Sequence, residues 1–437
     1  MSVNHQVNLK IAVPHVTRIE GHGNIHVHVR DGEMIECRFD VIEAPRFFEA
    51  MLRGRPYSQA SHVASRICGI CAATHATTSL RAVENALGIE PSTQTQLLRK
   101  LNLCSEMIDS HILHIYMLVV PDLLGLPSVL PLADSAPEII QRVLKMKRVA
   151  GDLCAAIGGR HTHPISMVPG GFTRIPSEQV MRDLETRLHD MNPDLEATLD
   201  LIEDLTWPSF QRESEYISLH SSNAYPLIDG LILSSDGGPR PLEDYREVTN
   251  EYIVGHSSAK HARNLQPSYM VGALARYNLN FDQLVSPARK AAERLGLPHP
   301  CHNPYLISLA QTVELVHFQQ QALTLLRELL DTGLSPENPE KPPKLSGEGI
   351  GACEAPRGTL FHHYTIEQGV LEEANCVIPT AQNLANLELD MRAYVQEYWR
   401  KDPDQLQLEL EMLVRAYDPC ISCSTHCVDL QIENTNH

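Results

Sequence analysis

Hydrophobic and polar residues alternate one by one within residues 23–43, which is the period of a strand with one buried face. The alternating positions are Ile25, His26, Val27, His28, Val29 and Arg30. The dipeptide Asp31-Gly32 is typical of a hairpin turn between two such strands. We interpret the two histidines as part of the solvated face of this hairpin rather than as a metal site.

Beyond this hairpin the hydrophobic residues mostly recur at helical spacing. The pattern predicts helices over residues 93–120, 137–157, 177–205, 308–331, 384–400 and 404–416. Asn192-Pro193 predicts a break or kink in the third of these, because proline removes a helical hydrogen bond. The proline-rich segment 334–345 predicts a surface connection rather than a domain boundary. The predicted fold class is mainly α (α+β), a bundle of long helices with a small N-terminal antiparallel sheet.

Composition narrows the class of protein. The chain has 437 residues, of which 43% are hydrophobic, and a formal net charge of -18, which disfavours nucleic acid as a partner. No uninterrupted apolar run approaches the roughly 18 residues of a membrane span. The first residues lack the basic and apolar regions of a signal peptide. Eleven cysteines without a dense framework indicate reduced thiols in a cytoplasmic protein.

Two Cys-x-x-Cys pairs lie near opposite ends of the chain, more than three hundred positions apart, and each is followed by a histidine. They are Cys68 and Cys71 with His75, and Cys420 and Cys423 with His426. This spacing lets two thiolates converge on one metal ion. If the pairs meet, the fold closes head to tail around a four-thiolate site that suits zinc, nickel or iron. Five other cysteines, Cys37, Cys104, Cys154, Cys301 and Cys353, are interpreted as small buried hydrophobic residues.

A structural zinc site is the simplest alternative for two such pairs. Zinc ribbons, however, place their pairs on hairpins about 15–20 residues apart. Here the first pair precedes a predicted helix and the second lies close to the end of the sequence. The spacing alone leaves both possibilities open.

The residues around the pairs resemble those of the large, catalytic subunit of nickel–iron hydrogenases. The resemblance rests on Arg66-Ile67-Cys68-Gly69-Ile70-Cys71 and on Asp418-Pro419-Cys420-Ile421-Ser422-Cys423 with His426. Three further stretches look like family motifs, namely residues 18–22, residues 159–171, and residues 354–358 with 376–380. Together they cover the chain from about residue 10 to residue 426, so the resemblance implies a hydrogenase domain over 1–426.

The resemblance implies a nickel–iron centre whose iron carries carbonyl and cyanide ligands. Cys68 and Cys420 would bind nickel terminally, whereas Cys71 and Cys423 would bridge nickel and iron. The implied reaction is the reversible heterolytic cleavage of dihydrogen into protons and electrons. Cys420 is a candidate base for the proton.

Arg357 is the competing base, but a guanidinium rarely releases its proton, so we favour a positioning role toward the cyanide ligands. Around it, the resemblance implies supporting roles for His75, Pro356, Pro379, Thr380 and Asp418.

Glu20 is implied as the first proton relay, because a buried carboxylate near a cysteine can shuttle protons. Its alternative role is a surface ion pair with Arg18.

A magnesium site is also implied, with Glu49, the carbonyl of Cys376 and His426 as ligands. Oxygen donors suit a small octahedral cation, and one imidazole is compatible with it. The alternative for Glu49 is an ordinary acid on a helix surface.

One position departs from many membrane-linked relatives, because Ser110 stands where they have an aspartate. The chain is therefore more similar to the soluble cytoplasmic hydrogenases. That similarity implies two kinds of partner. One is an iron–sulfur small subunit, and the others are subunits that pass electrons to NAD(P), a deazaflavin, or a heterodisulfide or bifurcating partner.

Residues 427–437 are interpreted as a maturation tail, which implies a peptidase and a nickel chaperone as transient partners. A hydrogen sensor with the same metal site is the alternative function, and the tail disfavours it. A quinone-site relative from respiratory complex I is disfavoured because all four cysteines are present.

Overall fold

A computed structural model of the chain describes residues 8–339 and 341–425. Its N-terminal sheet consists of three antiparallel strands, β1 (Leu9–Val13), β2 (Gly23–Arg30) and β3 (Glu33–Val41), in that order. The predicted hairpin is therefore confirmed, with β1 as an additional edge strand. Ile25, Val27 and Val29 are buried while His26 and His28 are half-buried on the opposite face, as their alternation predicts.

Helices fill most of the remaining chain. They are α1 (Phe48–Leu52), α2 (Ala60–Ala64), α3 (Ala72–Leu87), α4 (Thr93–Leu113), α5 (Val120–Leu123), α6 (Leu132–Ser135), α7 (Pro137–Gly158), α8 (Glu178–His189), α9 (Asn192–Glu203), α10 (Tyr245–Thr249), α11 (Ala273–Asn280), α12 (Ser286–Arg294), α13 (Ile307–Thr332), α14 (Pro379–Tyr398), α15 (Pro403–Ala416) and α16 (Ile421–Ser424). The predicted break at Asn192-Pro193 separates α8 from α9. The predicted helix over 93–120 is interrupted by a π-helical turn, His114–Val119.

Three further sheets were not predicted, so the fold is a mixture of helices and small sheets. They are the pair β4 (Met167–Val168) and β5 (Gly171–Phe172), the four strands β6 (Glu215–His220), β7 (Leu231–Ser234), β8 (Gly238–Arg240) and β9 (Tyr269–Met270), and the antiparallel meander β10 (Gly347–Ala355), β11 (Gly358–Glu367) and β12 (Val370–Val377).

The packing brings the two ends of the chain together. Helix α4 packs against α7 and α13, and α3 lies across β10 and β11. A separate apolar cluster joins the residues of both cysteine pairs to α2, α3, β11 and β12. This cluster positions the metal-site candidates inside the protein.

The helical run Thr93–Leu123 is long and apolar enough to cross a membrane by length and composition alone, although polar residues interrupt it, in agreement with the absence of a continuous apolar run. However, 78% of its most apolar stretch is buried within the fold, as in the core helix of a soluble protein. The five cysteines predicted as small hydrophobic residues are all buried, which confirms that interpretation. The described part of segment 334–345 has no helix or strand and is largely exposed or half-buried, as predicted for a surface connection.

Candidate metal centre

The four cysteines of the two pairs converge at one buried point. Cys71 immediately precedes α3, and Cys420 immediately precedes α16, which contains Cys423. The Sγ atoms of Cys68 and Cys420 are 3.6 Å apart, and those of Cys71 and Cys423 are 3.8 Å apart. All four Sγ atoms lie within 4.8 Å of one another. One metal centre can therefore contact both ends of the chain.

Crowding of the thiols sets their ionisation. Burial opposes a Cys68 thiolate, but contacts from the Cys420, Cys423 and Cys71 thiols and the charge of Arg357 outweigh burial and lower the Cys68 pKa well below its usual value. The backbone amides of Ile70 and Cys71 also donate to Cys68 Sγ, at 3.2 and 3.1 Å. The pKa of Cys71 is raised to about 11, because its contact with Cys68 and burial outweigh its contacts with Cys420 and Cys423. The pKa values of Cys420 and Cys423 are also raised, so the site favours one thiolate at Cys68 beside three protonated thiols, and a bound cation would favour ionisation of the others.

Arg357 supplies a fixed positive charge beside the thiols. Its Nε donates to the Asp418 carbonyl at 2.7 Å and its Nη2 to Asp418 Oδ1 at 2.9 Å, so the predicted contact between these residues is present. Its third nitrogen, Nη1, is buried without a hydrogen-bond partner among the described residues. A buried donor without an acceptor is costly. An acceptor on a bound group next to the cysteines, such as a cyanide nitrogen, fits this position.

Glu20 lies against the second cysteine pair rather than at the surface with Arg18. Its side chain accepts hydrogen bonds from the amide and the hydroxyl of Ser422, the former at 3.1 Å, and its carbonyl accepts from Ile421 N at 3.0 Å. Arg18 instead forms an ion pair with Asp122. Gly21 permits this approach, because a Cβ atom there would lie 2.6 Å from Ile421 Cβ.

Glu49 and Cys376 are neighbours in space. Glu49 Oε1 accepts from the Cys376 amide at 2.7 Å and from Asn375 Nδ2 at 3.3 Å. Glu49 also lines a cavity of about 320 Å³ with Lys260 and Glu373. The third predicted magnesium ligand, His426, lies outside the described residues.

The residues predicted to support the centre have separate positions. Thr380 Oγ1 accepts from the Cys420 amide at 3.0 Å, and Pro379 is the first residue of α14. The Pro356 carbonyl accepts from Arg276 at 3.1 Å. His75 is buried on α3, and its Nδ1 is 3.2 Å from His362 Nε2. His75 lies on α3, the helix that follows Cys71, but it does not belong to the group of four thiols. The structure therefore does not make it a ligand of the centre.

Arg46 joins the two cysteine loops, although the sequence did not predict this role. Its Nη1 donates to the carbonyls of Ile67 and Ser422 at 2.7 and 3.0 Å, and its backbone amide donates to the Thr425 carbonyl at 2.8 Å. A lone arginine in a loop carries no periodic signal, so only its place in the fold reveals what it contacts.

A buried charge network behind Arg357 was also not predicted. Arg276 donates to Glu314 at 2.6 and 2.7 Å and to Glu354 at 2.9 Å, and His111 Nε2 lies 2.8 Å from Glu314. Arg276 holds the pKa of Glu314 well below its usual value despite complete burial. The available signal was the acidic residue Glu314 between the apolar residues Val313 and Leu315 of α13. Ser110, at the departing position, is buried and its hydroxyl has no partner among the described residues.

Comparison with known proteins identifies the family. A model described as nickel-dependent hydrogenase matches residues 46–141 and 271–426, and a HoxL-like model matches residues 10–44. The chain is 35% identical over 425 residues to the alpha chain of sulfhydrogenase 1 from Pyrococcus furiosus, covering 97% of this chain and 99% of the relative. It is 30% identical over 463 residues to a subunit of the F420-non-reducing hydrogenase from Methanothermobacter thermautotrophicus, covering 97% and 96%.

A solved structure agrees with these sequence matches. The crystal structure of an NAD+-reducing [NiFe]-hydrogenase in the H2-reduced state superimposes with a TM-score of 0.84 at 27% identity, covering 95% of this chain and 99% of that one. The resemblance to soluble hydrogenases is thus confirmed. The chain belongs to the nickel-dependent hydrogenase family, as a large subunit of these dihydrogen-cleaving oxidoreductases.

Proposed function

We propose that Cys68, Cys71, Cys420 and Cys423 hold a nickel–iron centre at which this chain cleaves dihydrogen reversibly and heterolytically. The observation that carries the proposal is the meeting of four buried thiols beside an arginine nitrogen that has no partner of its own among the described residues. Thiolates are the ligands that soft and borderline metals prefer. We also infer that the long helices α4, α7 and α13 form the bundle that supports this centre.

The proposed ligand roles follow the pairing of the cysteines. Cys68 and Cys420 would hold nickel as terminal ligands, and Cys71 and Cys423 would be shared between nickel and an iron that would carry carbonyl and cyanide ligands. When bound, the centre supplies the position at which dihydrogen is polarised and split. All four cysteines are buried, so that position lies away from bulk water.

Cys420 Sγ accepts the proton in this proposal. Arg357 acts as a positioning residue, because its two contacts with Asp418 aim its remaining nitrogen toward the centre and because guanidinium keeps its proton. Thr380 orders the Cys420 backbone through its hydroxyl. Pro356, Pro379 and His75 shape the surrounding loops and helix.

Glu20 carries the proton away from the cysteines. Its carboxylate already contacts Ser422, between the two cysteines of the second pair, and it is half-buried, so it connects the closed site with the outside. A positioned carboxylate of this kind typically accelerates proton transfer by about 10²–10⁴-fold.

Magnesium is proposed at Glu49, the Cys376 carbonyl and His426. The contact between Glu49 and the Cys376 backbone supports this assignment. Lys260 and Glu251, which form an ion pair 3.5 Å apart, add charges that act on Cys376 and are candidates for ordering the waters of such a cation.

Partners follow from the redox chemistry. An iron–sulfur small subunit receives the electrons, and further subunits pass them to a soluble acceptor of the NAD(P), deazaflavin, heterodisulfide or bifurcating type. We place the assembly in the cytoplasm. Residues 1–426 form the functional domain, and residues 427–437 form a tail that a maturation peptidase removes after a nickel chaperone has acted.

Dihydrogen-dependent dye reduction by the purified complex tests the proposal. We expect Cys420→Ser to abolish activity and to lower nickel content. Cys301→Ser is the matched control, since Cys301 is equally buried but lies outside the cluster, and it should retain both. Unchanged nickel and activity in Cys420→Ser would refute the assignment.

A further inference from the structure

A second group of metal-binding side chains lies away from the four cysteines. His256 and His261 belong to the loop between α10 and β9, and Glu388 belongs to α14. One ring nitrogen of each histidine and one oxygen of Glu388 all lie within 4.8 Å of one another. His256 Nε2 is 2.7 Å from Glu388 Oε1.

The hydrogen bond between His256 and Glu388 does not account for His261. His261 is only 2% exposed, and its Nε2 is buried without a partner among the described residues. A buried imidazole nitrogen that makes no hydrogen bond to the described residues is available to a metal ion.

The backbone around the group is already ordered. Glu388 Oε1 also accepts from the Phe39 amide at 3.0 Å. His261 and Tyr252 exchange two backbone hydrogen bonds of 2.9 and 2.8 Å, and Ser258 donates to the Val41 carbonyl at 3.0 Å. Hydrogen bonds thus hold the loop and α14 against β3. The three side chains therefore need little rearrangement to surround an ion.

We propose that His256, His261 and Glu388 bind a borderline divalent metal ion such as Zn²⁺. Two imidazoles and one carboxylate form a common three-ligand set for such ions, with water in the remaining position. Binding replaces the proton shared by His256 and Glu388 with the metal ion and gives His261 Nε2 a partner. The His256 side chain is 26% exposed, which provides an entry path.

The site is distinct from the nickel–iron centre but lies on the same helix. Glu388 follows Thr380 by eight positions, about 12 Å along α14 at 1.5 Å per residue. An ion here would join the loop to α14, which already contacts β3 through Glu388. The ion would therefore hold α14 in place, and the first turn of α14 contacts Cys420.

Cobalt binding to the complete nickel-loaded complex tests the proposal, with Co²⁺ as a coloured substitute for Zn²⁺. The wild type should bind one Co²⁺ per large subunit, and its spectrum should show nitrogen and oxygen ligation without thiolate charge-transfer bands. His261→Phe should weaken binding at least tenfold. His28→Gln, a histidine on the outer face of β2, is the matched control and should bind like the wild type.

Stability provides the second measurement. Because His261 Nε2 makes no hydrogen bond to the described residues, His261→Phe should unfold at a temperature no lower than the wild type when no metal is added. Added Zn²⁺ should raise the Tm of the wild type but not that of the variant. If His261→Phe does not fold, Glu388→Gln decides by the same readout. Equal Co²⁺ affinity in the wild type and the variant, no Co²⁺ uptake by the wild type, or thiolate bands would each overturn the proposal.

Discussion

Glu20 links the buried thiols to the outside through a single carboxylate. The contacts from the Ser422 amide and hydroxyl fix it beside the second cysteine pair, whereas Arg18 is occupied by Asp122. A glutamine has the same shape and can still accept from Ser422, but it cannot carry a proton. The substitution therefore separates proton movement from assembly of the metal site.

We predict that Glu20→Gln slows hydrogen–deuterium exchange and dihydrogen oxidation by about 10²–10⁴-fold while nickel and iron content stay unchanged. Mass spectrometry of the headspace gas and elemental analysis measure the two effects. Glu43→Gln is the control, because Glu43 pairs with the exposed His22. Full turnover in Glu20→Gln would remove Glu20 from the proton path.

His317 on α13 links stability to pH. Burial lowers its pKa to about 4, even though Glu314 favours the charged form, and its Nδ1 accepts from the Val285 amide at 3.2 Å. The unfolded chain, with an ordinary pKa of 6.5, binds a proton between pH 6.5 and 4 that the folded chain does not bind. This residue therefore lowers the free energy of unfolding as the pH falls through that range, by about 3 kcal/mol.

Replacement by asparagine should remove this contribution, because asparagine accepts from Val285 without titrating. We expect urea unfolding of His317→Asn to depend less on pH between 7 and 4 than that of the wild type, by roughly 2–3 kcal/mol. Parallel pH profiles for the two proteins would contradict the assignment.

Among the elements, β10 shows why a sheet next to the site escaped prediction. Its sequence has glycine where a strand normally shows alternating side chains, and Gly349 and Gly351 face the backbone of α3. A Cβ atom at position 349 would lie 2.2 Å from the amide nitrogen of Ala86, and one at 351 would lie 2.2 Å from the Thr78 carbonyl oxygen. The glycines thus let α3, which begins at the first cysteine pair, lie directly on the sheet.

We predict that Gly349→Ala destabilises the protein by roughly 1–3 kcal/mol or more, because the backbone of α3 must move. Urea unfolding measures the change. Gly255→Ala is the matched control, since a Cβ atom there has no neighbour within 4 Å. Equal stability of the two variants would show that α3 and β10 do not pack this closely.

The sequence predicted those elements that have a regular period and those ligands that lie in short motifs. Helix α7, for example, matches its predicted range closely, because its apolar residues repeat over many turns. The π-helical turn after α4 could not be predicted, because hydrophobic periodicity does not distinguish one type of helix from another. Arg46 and Arg276 could not be predicted, because their partners come from distant segments that only folding brings together.

At the scale of the whole molecule, the fold joins the two ends of the chain around one centre. The Glu20 loop, Arg46 and both cysteine pairs meet there, although they come from the first and last parts of the sequence. A structural zinc would need only the four thiols. Arg357 Nη1, which has no partner within residues 8–339 and 341–425, and the contact between Glu20 and Ser422 instead favour a centre with further ligands and a proton path.

An infrared spectrum of the protein, purified with its partner after maturation, tests this account most directly. We predict absorption bands from carbonyl and cyanide bound to a metal, and their disappearance in Cys423→Ser, which lacks a bridging ligand. The absence of these bands from a nickel-loaded, processed wild-type protein would contradict the nickel–iron assignment and favour structural zinc.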